Sequence, residues 1–129
     1  MDPYRQLAKV LVEHGIRCYL QGAVQMVVST QDGLVLPDRG NSFWLTRAAG
    51  EWHLFTWASV GYRIPEGVDV ARLCRSCVAH GSSAMATVPA QLAREFGLCE
   101  LSDDEAESVF AEMDKLDDSR AAADGDGRD

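Results

Sequence analysis

The sequence has no apolar run near the ~18 residues that a membrane span requires, so no spanning helix is expected. Its opening, Met1-Asp2-Pro3-Tyr4, is acidic and polar, without the basic start and apolar stretch of a secretory signal. A cytoplasmic protein is the expectation that follows. Signatures of catalysis are missing too. Neither Gly-x-Ser-x-Gly, a Walker phosphate loop nor the dinucleotide glycine fingerprint occurs. His14, His53 and His80 form no His-x-x-x-His or His-Glu-x-x-His pair. The acidic run around Asp103, Asp104, Glu105 and Glu107 lacks the alternating ligands and central glycine of a calcium loop. No cofactor is expected, and a non-enzymatic role is favoured over catalysis.

Excess positive charge is also absent. The net charge is −8 over 129 residues, and it is unevenly placed. Residues 1–99 carry eight acids against nine bases, or +1, whereas residues 100–129 carry twelve acids against three bases, or −9. An acidic end repels phosphate backbones, which excludes nucleic-acid binding driven by charge. It suits a solvated helix face, or a basic protein partner.

What is present reads as one α+β domain over residues 1–116, followed by an acidic, disordered tail over 117–129. Asp2 and Pro3 open a first helix as N-cap and first helical residue. Tyr4, Leu7, Ala8 and Leu11 then make an apolar stripe that Gly15 terminates. From Ile16 to Ile64 the period changes to two. Residues 18–20 and 24–28 read as strands. The clearest hairpin runs through residues 43–46 and 52–57, with a turn near Gly50, and a further strand carries Val60, Tyr62 and Ile64. Connections this short allow only an antiparallel meander of four to five strands.

Two to three C-terminal helices follow, expected to pack on one face of the sheet. Asp69 caps the first, which carries Val70, Leu73, Cys74, Cys77 and Val78 and ends at Gly81. Pro89 opens a short one through Leu92 and Phe96 to Gly97. Ser102 and Glu105 form a capping box at the start of the last, whose stripe is Ala106, Val109, Phe110 and Met113. Beyond Leu116 no apolar period remains.

Cys74 and Cys77 form a Cys-x-x-Cys, and with two of Cys18, His80 and Cys99 they could complete a zinc shell. Both, however, lie on the apolar stripe of a helix, where free cysteine usually packs as a small hydrophobe. Core cysteines are therefore the first reading and a small zinc protein an alternative.

The aromatics are more informative. Phe43, Trp44, Trp52, Phe55, Trp57 and Tyr62 fall on neighbouring strands. Alternation sets Phe43 and Leu45 opposite Trp44 and Thr46, and Trp52 and Leu54 opposite His53, Phe55 and Trp57. An antiparallel sheet can be covered on one face only, which would leave aromatics available to a partner. Trp44, Trp52, Trp57, Tyr62 and Arg63 are thus the candidate partner-binding residues. A pocket between sheet and helices, lined by His53, Tyr62 and Arg63, is the small-molecule or minor-enzyme alternative. Small size, an acidic pI and a helix–meander–helices order make the chain look like small bacterial accessory proteins such as toxin-immunity proteins and secretion chaperones. The resemblance implies a cytosolic adaptor or inhibitor that meets a protein partner, with self-association as a further expectation.

Overall fold

The computed structural model describes residues 3–21, 25–29, 42–48, 50–56, 58–79 and 87–128; the side chains of Gln21, Ser29, Ser42 and residues 117–128 lie outside that description. Helix α1 spans Pro3–Glu13, and its stripe of Tyr4, Leu7 and Leu11 is buried. Gly15 takes a φ of +76°, the left-handed geometry expected of the stop. Strands β1 (Cys18–Gln21), β2 (Gln25–Ser29), β3 (Ser42–Ala48), β4 (Glu51–Thr56), β5 (Gly61–Arg63) and β6 (Cys99–Glu100) follow in one sheet. Every neighbouring pair is antiparallel and the strand order is sequential, so the meander is as expected, with one strand more than anticipated among the described residues. The addition is β6, a two-residue strand between helices that offers no alternation to read.

Among the described residues three helices come after β5. Asp69 caps α2 (Val70–Ala79), its Oδ1 accepting the Arg72 amide at 3.1 Å. Helix α3 covers Ala90–Phe96, with Pro89 at the N-cap instead of the first helical position. It ends on Gly97 in the left-handed region, whose amide donates to the Arg94 carbonyl. Helix α4 covers Asp103–Arg128. Its capping box is formed: the Glu105 amide donates to Ser102 Oγ at 3.2 Å, and the Ser102 amide donates to Glu105 Oε1 at 3.0 Å. The helix continues to Arg128 where the sequence suggested a disordered tail from 117. A helix already nucleated adds further turns at low cost, and Ala121, Ala122 and Ala123 are its best propagators.

Register separates two faces. Met26, Val28, Phe43, Leu45, Leu54 and Tyr62 point inward to α1, α2 and α3. With Leu11, Ile64, Leu73, Cys74, Cys77, Val88 and Phe96 they make the main core. Trp44, Thr46, Ala48, His53 and Phe55 share the outer face. There Phe55, Ala48 and Val109 form a second, smaller core with Trp44, Leu101, Ala106, Phe110 and Met113 packed around it. The C-terminal helices therefore divide: α2 and α3 join α1 on the inner face, while α4 lies across the outer one. An amphipathic stripe shows that a helix must dock, but not on which side.

Candidate functional site

The sheet sorts the candidate residues. Trp44 lies on the outer face, half-buried, with its ring stacked on Phe55 at 4.4 Å between centroids and 10° between planes. Phe110 of α4 closes over the pair, 5.0 Å from Phe55 and 6.1 Å from Trp44. This stack exists because Trp44 and Phe55 are direct cross-strand partners, the closest side-chain relationship an antiparallel pair allows. Phe110 shares a helical stripe with Val109 and Met113, which brings it down onto them.

Trp52 points the other way. It is half-buried at the inner end of the hairpin, with the Tyr4 ring edge-on at 5.2 Å and the Arg47 guanidinium 5.7 Å from its centroid. The Arg47 backbone amide also donates to the Tyr4 hydroxyl at 2.8 Å, which ties α1 to β3. Trp57 lies outside the described residues, as does His80.

Tyr62 belongs to the core and offers nothing to a partner. It is 4% exposed, and its hydroxyl accepts the Val88 amide at 3.1 Å. Burial pushes its phenol up from the ordinary range. Period-two geometry explains the placement: Tyr62 faces Leu54, whereas its neighbour Arg63 faces His53 on the outer side. The pocket lining of His53, Tyr62 and Arg63 is thus not assembled, because the tyrosine is on the other face.

His53 and Arg63 do meet, within a small polar group on the outer face. His53 is 6% exposed, sits between Thr46 on β3 and Arg63 on β5, and donates from Nδ1 to the Glu51 carbonyl at 3.1 Å. Burial lowers its imidazole pKa below the ordinary 6.5, opposed by the Glu51 carbonyl and carboxylate and assisted by Arg63. The exposed Arg63 lies 4.0 Å from a Glu51 carboxylate oxygen and 3.7 Å from Cys99 Sγ.

The cysteines are spread. Cys74 and Cys77 are buried in the inner core, and burial holds both thiols protonated, the Cys77 pKa raised to about 12. Cys18 and Cys99 sit on β1 and β6, the two opposite edges of a six-stranded sheet. At ~4.8 Å per strand those edges are about 24 Å apart, too far for one metal shell. Among the described residues no group of three or more His, Cys, Asp or Glu is placed to hold a metal ion.

A cleft of about 90 Å³ opens at the hairpin end, lined by residues that include Arg47, Glu51, Trp52, Glu66 and Val68. That is well under the roughly 300 Å³ at which pockets for small organic ligands begin. No described helix is long and apolar enough to cross a membrane.

The chain matches no protein-family model, no curated protein and no solved structure. Phe110 joins the aromatic group from α4, a contact that the spacing of the strand aromatics does not announce. Its place on the α4 stripe was the available signal.

Proposed function

We propose that the chain is a non-enzymatic protein-binding module, an adaptor or inhibitor whose contact surface is the outer side of the sheet together with α4. The observation that carries this reading is the state of Trp44. It is a rigid aromatic, stacked on a fully buried Phe55 and flanked by Phe110, yet part of it remains in solvent. Interface anchors are commonly of this kind, because a tryptophan that is already immobilised loses little entropy on binding.

The surroundings favour a basic partner. Asp103, Asp104, Glu107 and Asp114 are all exposed on α4, and the residues beyond position 99 hold the whole negative excess. Such a field speeds the approach of a positively charged protein and sets its orientation. Val27, Thr46, Ala48, His53 and Phe55 are buried on the outer face, and Trp44, Glu51 and Arg63 are residues of that face that keep contact with solvent. Leu101, Ala106, Phe110 and Met113 stay half-buried around Trp44 and widen the apolar patch. A cytoplasmic setting suits the chain's four free thiols, which a reducing compartment preserves.

The test is capture of a partner from a native-host extract on immobilised full-length protein, compared with two variants. Asp104→Asn/Glu107→Gln, which neutralises two of the twelve acids beyond position 99, should slow association and lessen its salt dependence; Trp44→Leu should weaken the complex by about tenfold or more. Binding that ignores both changes would remove the reading.

A further inference from the structure

Strand β1 closes one side of the sheet, and among the described residues no strand pairs with its outer edge. Three large apolar side chains stand exposed among the described residues. Two of them, Tyr19 at 38% and Leu20 at 41%, are neighbours on this strand of four; the third, Val12 at 62%, lies in the last turn of α1. An open edge presents unpaired N–H and C=O groups, and proteins usually guard it with lysine, proline or an inward charge. Cys18–Gln21 has none of these. The other edge is managed differently: β6 has two residues and passes directly into the capped start of α4.

We infer that β1 is a homodimer interface, pairing antiparallel with β1 of a second copy about a two-fold axis at Tyr19 to give a continuous twelve-stranded sheet. The backbone groups that no described strand pairs suit an extended occupant, and a strand that pairs with its own copy about a two-fold axis runs antiparallel. The residues fit that occupant position by position. Tyr19 meets Tyr19 of the second copy, an aromatic pair on the outer face. Cys18 meets Leu20 on the inner face, so both exposed apolar side chains gain a neighbour.

Charge agrees with a second copy at this edge. The exposed Arg17 comes opposite the neutral Gln21 of the second copy, and not opposite another arginine. The two Arg17 residues are offset by four positions, about 13 Å along the strands, which exceeds the screening length of physiological salt. The net negative excess begins at Glu100 on β6, at the opposite edge, and the exposed Glu13 that ends α1 is offset by the exposed Lys9 and Arg17 on either side of it in the chain. Slipping the register by one residue would set Tyr19 against Leu20 and join an outer face to a helix-covered one, which the alternation forbids. With Tyr19 on Tyr19, the outer-face row Tyr19, Val27, Trp44, Phe55 continues unbroken into the second copy.

This interface uses β1, whereas the partner surface proposed above uses Trp44 and α4, so either can fail alone. Sedimentation equilibrium of the full-length chain should give twice 14.1 kDa, with a concentration-dependent approach to monomer on dilution. Tyr19→Lys and Leu20→Lys replace exposed side chains, so each should keep the fold by circular dichroism while raising the dimer dissociation constant by about tenfold or more. In a Cys99→Ser background, Tyr19→Cys should oxidise to a covalent dimer whose bridge maps to position 19 in both copies. A monomer at every concentration overturns the inference. So does a dimer that both lysine variants leave intact, or a bridge that maps elsewhere.

Discussion

The ring of Phe55 lies across the bare backbone of Gly61, its cross-strand partner on β5. A Cβ built at Gly61 would meet that ring, with Phe55 Cδ2 and Cζ each 2.9 Å away. The glycine is required by the close approach of an aromatic and not by its own backbone angles. Phe55 in turn supplies the floor on which Trp44 stacks, so the geometry of the proposed contact surface depends on a residue with no side chain.

Gly61→Ala should therefore destabilise the fold by about 1–3 kcal/mol, the usual effect of forcing a methyl into a packed site. The change should fall mostly on the outer face. Chemical denaturation gives the magnitude, and near-ultraviolet circular dichroism should show a weakened Trp44–Phe55 signal. An unchanged spectrum with full stability would mean that the ring moves aside freely.

Tyr62→Phe should cost about 1–3 kcal/mol, because it leaves the buried Val88 amide without the hydroxyl that accepts its proton. Tyr62→Leu should cost more, since it also removes ring packing from the main core. Urea midpoints of the three proteins decide the ranking. A neutral Tyr62→Phe would show that another group takes the amide.

Much of this architecture was legible beforehand. The α1 stripe of Tyr4, Leu7 and Leu11, the Asp69 cap and the Ser102–Glu105 box all rest on local spacing, and each forms as read. The hairpin alternation also put Trp44 and Trp52 in known relation to their own strands. Which tryptophan shared a side with which could not be read, because that depends on how β3 aligns with β4. The observed register, Trp44 with Phe55 and Arg47 with Trp52, sends the two tryptophans to opposite faces. Strand β6 was illegible for a different reason: two residues cannot show a period, and Cys99–Glu100 is a strand only because β5 lies beside it. The outer-face position of α4 likewise arises from long-range contact between Phe110 and Phe55.

His53 makes stability depend on pH with a definite sign. Its folded pKa lies below the ordinary 6.5, so the unfolded chain binds the proton more readily. Stability is then complete above the unfolded value and falls as pH drops through it toward the folded pKa. Thermal unfolding between about pH 8 and about pH 5 should show this decline, and His53→Gln should flatten it. Glu105, whose carboxyl is lowered by its bonds to Ser102, loses its contribution only below the ordinary carboxylate value of 4.5, in a separate window. A pH dependence identical in the His53→Gln protein would assign the transition elsewhere.

Removing residues 117–129 should leave the fold intact. The side chains of α4 known to reach the outer core, Ala106, Val109, Phe110 and Met113, all precede the cut. The midpoint of thermal unfolding should move by no more than a few degrees. A larger fall would show that the distal turns of the helix pack on the domain.

The partner surface around Trp44 and α4 is tested most directly by site-specific photo-cross-linking in the native host. A photoreactive phenylalanine analogue is placed at Glu107, exposed on α4, and separately at Arg75 and Gln91, exposed on the helices of the inner face. A covalent adduct with one defined protein is expected from position 107, and none from 75 or 91. Adducts from the inner-face positions alone, or equally from all three, would contradict a contact surface on the outer side of the sheet.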